Sequence, residues 1–84
     1  MIRLLYFASL RDRLGLATET VAPDIEQLDV ATLRSWLSQR GGTWAEIFGS
    51  RRGVLAAVNQ ELAGPRTQVR DGDEVGFFPP VTGG

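Results

Sequence analysis

The sequence predicts an α+β fold, a mixed four- to five-stranded sheet wrapped across one main helix, and three observations carry that expectation. Strand-like runs rich in apolar and aromatic residues open and close the chain, at residues 2–8 and 74–78. One segment between them, beginning at Asp29, repeats its apolar positions at spacings of three and four. At 84 residues the chain is long enough for one small core and too short for a second domain or an enclosed catalytic cleft.

The elements follow in order. Residues 2–8 read as a strand with Ile2, Leu4, Tyr6 and Ala8 on one face and Arg3, Leu5, Phe7 and Ser9 on the other. Ser9–Gly15 holds three charges and reads as a connecting loop. Thr18–Val21 is a short second strand, forming a hairpin with the first and closed by Pro23 and Asp24. Asp29 caps a helix whose apolar positions are Val30, Leu33, Trp36 and Leu37. Gly41-Gly42 stops it where a left-handed residue is wanted. Trp44, Ile47 and Phe48 suggest a short helical turn beneath a loop. Val54–Val58 is a third strand, and Asn59-Gln60 turns it into a brief fourth at Glu61-Leu62. Gly64-Pro65 breaks the pattern, Asp71-Gly72 is a turn signal, and Glu74–Phe78 is the last strand. With the first and last strands as central parallel neighbours, the helix supplies the right-handed crossover that parallel pairing requires. That is the ubiquitin-like β-grasp arrangement. It is expected over residues 1–78, with 79–84 as a flexible, extended C-terminal tail.

Composition narrows the chemistry. A net charge of −1 and scattered arginines give neither a basic stripe for nucleic acid nor a polybasic patch for membranes. The longest apolar stretch, Val54–Val58, is too short to span a bilayer, and the N-terminus lacks a signal-peptide pattern, so a cytoplasmic protein is expected. There is no Cys and no His, and all nine basic residues are Arg. Thiol nucleophiles, imidazole bases, the usual transition-metal ligands and Schiff-base lysines are therefore missing. Asp71 and Asp73 form a turn rather than a metal site, and Arg51-Arg52 reads as a solvated loop.

The last strand separates two kinds of aromatic. Val75 and Phe77 share one face, whereas Glu74, Gly76 and Phe78 share the other, which is poorly suited to lie under a helix. Phe7 occupies the corresponding face of the first strand. Phe7, Phe78 and Leu62 are thereby candidates for one apolar patch on the open side of the sheet, able to dock a partner. The other reading is a second small core beneath residues 43–53.

Beyond Phe78 the chain reads Pro79-Pro80-Val81-Thr82-Gly83-Gly84. Six extended residues reach roughly 20 Å. Pro79-Pro80 favours the extended polyproline conformation and lowers the entropy lost on ordering, and two glycines let the backbone approach catalytic groups closely. The terminal carboxylate, with a pKa of about 3.5, is an anion and a poor electrophile. It becomes an acyl donor only after activation, for which adenylation by ATP is the obvious route. An amine nucleophile would then make the chain a protein modifier, and a sulfur donor would make its end a thiocarboxylate.

The segments Asp71–Gly84 and Leu55–Gln60, with the opening Ile2–Ala8 and Leu10-Arg11, resemble the small, sulfur-carrying subunit of molybdopterin synthase over essentially the full length. The resemblance implies that an E1-like adenylyltransferase activates Gly84 with ATP and that a sulfurtransferase or cysteine desulfurase system converts the adenylate to a thiocarboxylate. It implies further that the tail, Pro79, Pro80, Val81, Thr82 and Gly83 included, enters the large synthase subunit, whose residues perform the catalysis. There it donates sulfur to cyclic pyranopterin monophosphate, within a heterotetramer. Phe7, Arg11, Leu62 and Phe78 match positions that contact the large subunit or the activating enzyme. No bound cofactor, metal, nucleic acid or membrane is implied. The alternatives are a β-grasp carrier for another pathway, such as thiamine thiazole synthesis, a ubiquitin-like modifier of target lysines, and a plain interaction domain with an inert tail, in which deleting Gly83-Gly84 changes nothing.

Overall fold

The computed structural model describes residues 1–49 and 53–80. Five strands form one mixed sheet: β1 (Ile2–Tyr6), β2 (Thr18–Val21), β3 (Leu55–Val58), β4 (Glu61–Ala63) and β5 (Glu74–Phe78), in the order β2-β1-β5-β3-β4. The first and last strands are the parallel central pair, in register from Arg3 opposite Glu74 to Tyr6 opposite Phe77. β2 joins β1 antiparallel, and β3 joins both β4 and β5 antiparallel. A main helix, α2 (Val30–Ser38), and two short ones, α1 (Ala8–Leu14) and α3 (Gly42–Phe48), complete the β-grasp.

Alternation decides which face is covered. Leu4 and Tyr6 of β1 and Val75 and Phe77 of β5 are almost wholly buried, together with Val30, Leu33 and Leu37 of α2 and Ile47 and Phe48 of α3. The middle of this core is aromatic: Phe48 meets Phe77 edge to face at 5.0 Å, and Tyr6 meets Trp44 edge to face at 5.5 Å. Burial of these large side chains is the main source of stability, at about 25 cal/mol per Å² of apolar surface removed from water.

The cap predicted for α2 forms, with the Asp29 carboxylate accepting the Thr32 N–H at 2.7 Å. That bond holds the Asp29 carboxyl below its usual pKa. Gly41 and Gly42 do take positive φ, 78° and 54°. They lie just beyond the end of α2, however, and turn the chain directly into α3. α3 is thus a helix packed on the core, not a turn beneath a loop. Asn59 and Gln60 also take positive φ, 51° and 71°, as a two-residue hairpin between paired Val58 and Glu61 requires.

The expectation for residues 7–15 also fails. The first strand stops at Tyr6 rather than running to Ala8, and Ala8–Leu14 is a helix, α1, where a loop over Ser9–Gly15 is expected, so β1 and β2 pair antiparallel without being a tight hairpin. Leu10 is buried and Leu14 packs against the core one turn later, while Gly15 closes the helix in the left-handed conformation (φ 69°), donating its N–H to the Arg11 carbonyl. Two apolar positions among three charges are too few to show a helical period in the sequence.

At the sheet edge, Glu19 joins strand to helices. Its carboxylate accepts from the Tyr6 hydroxyl at 3.0 Å and from both terminal nitrogens of Arg40, at 2.9 and 2.8 Å. The guanidinium in turn lies 4.4 Å from the Trp44 ring centroid and 5.3 Å from that of Trp36. Arg40 holds the Glu19 carboxyl below its ordinary pKa, and burial, followed by the Glu19 charge, pushes the Tyr6 hydroxyl upward.

Candidate functional site

The face of the sheet opposite the helices holds the predicted patch. Pairing aligns Leu5 of β1, Gly76 of β5, Ala57 of β3 and Leu62 of β4 in one row across four strands. The next row toward the exit of β5 places Leu55 opposite Phe78. Phe7, immediately after β1, donates its N–H to the Phe77 carbonyl at 3.0 Å and accepts the Leu10 N–H at 3.1 Å. Its ring lies against Gly76: a β-carbon built there would be 2.9 Å from Phe7 Cε2.

Phe7 is 46% exposed and Leu62 75% exposed, whereas Phe78 is half-buried. Leu62 stands two strands from Gly76, about 10 Å away, with Ala57 between them. Phe7 and Phe78 have the opposite parity to Tyr6 and Phe77, on which α3 packs. Phe7 and Phe78 are thus set away from the α3 side of the sheet, and residues 50–52 of the loop invoked by the second-core reading lie outside the described residues. Arg11 is exposed on α1, one helical turn beyond Phe7, so a single element carries both. Pro79 is half-buried and Pro80 exposed. Both line a groove of about 450 Å³ between Leu10 and Arg13 of α1 and Ile47 of α3, beside which Arg13 pairs with Glu46 at 3.0 Å. Val81, Thr82, Gly83 and Gly84, the expected flexible tail among them, lie outside the described residues, as does Arg51-Arg52.

Sequence reasoning finds Phe7, Leu62 and Phe78 from strand parity and family likeness, and the structure sets them on one face. It does not reach Leu55 and Ala57, because only the β3–β5 register puts them in the patch. Nor does it assign Gly76 more than a marker of the open face. The available signal is a glycine inside a strand, where it normally weakens packing.

The described residues offer little chemistry of their own. The Tyr6 hydroxyl is engaged by Glu19 and held protonated by burial. Asp73 accepts the Arg70 N–H at 2.8 Å and the Asn59 amide at 3.1 Å, which keeps its carboxyl below the usual range, and Asp71 pairs with the Met1 amine. Among the described residues no group of three or more potential metal ligands clusters, and no helix is long and apolar enough to cross a membrane. What the architecture does provide is a surface and a direction of exit.

Fold and site together define a β-grasp carrier domain, whose middle strand ends at Phe78 beside an exposed apolar face. Comparison with known proteins agrees. The model of the ThiS family matches residues 4–84. The chain is 40% identical over 84 residues to the molybdopterin synthase sulfur carrier subunit of Escherichia coli and 36% identical to that of Haemophilus influenzae, with 100% of each chain covered in both cases. Among solved structures, SAMP1 from Haloferax volcanii matches with a TM-score of 0.77 at 26% identity, covering 99% of this chain and 98% of that one. The chain belongs to the ThiS family and, among its members, to the molybdopterin synthase sulfur carrier subunits.

Proposed function

We propose that this chain carries sulfur on its C-terminal glycine for molybdopterin synthesis, as the small subunit of a molybdopterin synthase, with residues 1–78 as the docking domain and 79–84 as the working tail. The observation that carries the reading is the position of β5. It is the middle strand of the sheet, and it ends at Phe78 beside the Phe7–Leu62 face. A partner seated on that face is within reach of the segment after Phe78, whose six residues span roughly 20 Å when extended. The full-length likeness to sulfur carrier subunits supports the same assignment.

In this scheme the Gly84 carboxylate attacks the α-phosphate of ATP on an E1-like enzyme, forming the acyl adenylate and releasing pyrophosphate. The terminal sulfur of an enzyme persulfide, supplied by a sulfurtransferase or cysteine desulfurase system, displaces AMP to give an acyl disulfide. A thiol then cleaves the S–S bond reductively, leaving a disulfide on the enzyme and a thiocarboxylate on Gly84. Within the large synthase subunit that sulfur passes to cyclic pyranopterin monophosphate, and water restores the carboxylate. Phe7, Arg11, Leu62 and Phe78 dock the domain. Pro79, Pro80, Val81 and Thr82 span the entrance, and Gly83 and Gly84 enter where a β-carbon would not. The carrier brings reach and a clean acyl terminus, and its partners bring the catalytic groups.

The test is intact mass after incubation with ATP, a sulfur source and the E1-like enzyme. The expected result is the gain of one sulfur in place of one oxygen, absent from a chain lacking Gly84. An unchanged mass, with the enzyme active on another carrier, would overturn the assignment. The likeness to SAMP1, a small archaeal modifier protein, favours a second reading, conjugation to other proteins. Amide-linked adducts in cell lysate would identify it.

A further inference from the structure

We infer that Gly76 is a positioning residue: the bare backbone at this place in β5 seats the Phe7 ring, and side-chain volume at position 76 sets how far that aromatic stands from the sheet. The inference rests on the reading that the open face docks the large subunit, and it identifies what shapes that face.

A glycine in the middle of a central strand loses packing and chain entropy without return unless backbone or space demands it. Gly76 is not among the glycines of positive φ, so the backbone makes no such demand. Space does. A β-carbon at position 76 would stand 2.9 Å from Phe7 Cε2, 3.7 Å from Cδ2 and 3.8 Å from Cζ, so the edge of the ring lies over the place where a side chain would begin. Gly76 is accordingly buried although it belongs to the uncovered face.

The ring cannot retreat by moving its own backbone. Phe7 is bonded through its N–H to β5 and through its carbonyl to α1, and Ala8 follows at φ 52°, a left-handed conformation that alanine adopts only at a cost. With the main chain held on both sides, a side chain at position 76 can only rotate or lift the ring. Phe7 is 46% exposed, so the outer part of the ring is what a partner meets. An aromatic anchor contributes most when it fills a partner's pocket without rearrangement, and a displaced ring would fit the same pocket less well.

A double-mutant cycle tests this, with binding to the purified large synthase subunit measured by calorimetry and Tm measured for every chain. The four proteins are wild type, Gly76→Val, Phe7→Ala and the double variant. Gly76→Val should weaken binding by about tenfold or more with Tm little changed, and should have no further effect once Phe7 is Ala. Equal losses in both backgrounds, or unaltered affinity for Gly76→Val, would overturn the inference. If Gly76→Val does not fold, Gly76→Ala replaces it, with a loss of about two- to threefold that again must vanish in the Phe7→Ala background. Phe7→Ala alone reports on the underlying reading. If it leaves affinity intact, the docking face is wrong and the inference falls with it; if it weakens binding while position 76 has no effect, only the seat is wrong.

Discussion

Replacing Glu19 by Gln should destabilise the domain in a way that depends on pH and leaves partner docking alone. The carboxylate accepts three hydrogen bonds, two of them from the Arg40 guanidinium, and its side chain is 18% exposed against 32% for Arg40. A hydrogen bond to a charged group contributes about 1.5–3 kcal/mol when well shielded, and surface pairs far less. Glutamine keeps the shape and one acceptor oxygen but loses the charge, so the partial burial places the cost at about 1–2 kcal/mol. For a domain of this size each kcal/mol lowers Tm by about 4–8 °C. The sign with pH follows from the pKa. Glu19 is held by Arg40 below the ordinary glutamate value, about 4.3, in the folded state. Its contribution is therefore fully present above that value and is lost as pH falls through the lower, folded pKa. The wild-type advantage over Glu19→Gln should hold at neutral pH and close in acid. Urea unfolding followed by tryptophan fluorescence suits the measurement, because Arg40 lies against both Trp36 and Trp44. A gap that stays constant into acid, or one below about 0.3 kcal/mol at neutral pH, would refute the reasoning. Glu19 shares the helix-covered side with Leu4, so affinity for the large subunit should not move.

Two further outcomes separate core from surface. Phe77→Ala should cost about 3–5 kcal/mol in urea unfolding, since the ring is fully buried against Phe48 and Tyr6; Phe78→Asp, one residue on, should weaken large-subunit binding more than stability, and unfolding of that variant would mark Phe78 as core. Gln60→Gly should raise stability by about 0.5–1 kcal/mol, read as a higher Tm, because glutamine at φ 71° bears a strain that glycine does not.

The sheet was legible in the sequence because its signals are local and repeated. Parity along residues 2–7 and 74–78 separates Leu4, Tyr6, Val75 and Phe77 from Phe7 and Phe78, and the structure keeps that division residue by residue. The Asp29 cap and the Asn59-Gln60 turn were legible for the same reason, being short-range chemistry. α1 was not, because its stability comes from tertiary burial of Leu10 and Leu14 rather than from propensity. The Tyr6–Glu19–Arg40 network was also out of reach. Its members are separated by 13 and 21 positions, and nothing in their types distinguishes them from the other charged residues on the surface. At the site, the aromatic residues announced themselves, whereas Leu55 and Ala57 acquired their place only through register.

The central position of β5 has a mechanical consequence. A partner that grips the C-terminal segment pulls along a strand bonded on both flanks, to β1 on one side and β3 on the other. Such a load is spread in shear over two ladders at once instead of opening one bond after another, as it would along an edge strand. The domain can therefore be drawn hard against an enzyme by its own last residues and released again without unravelling. In the proposed role, that suits a carrier whose last residues enter the active site of its partner.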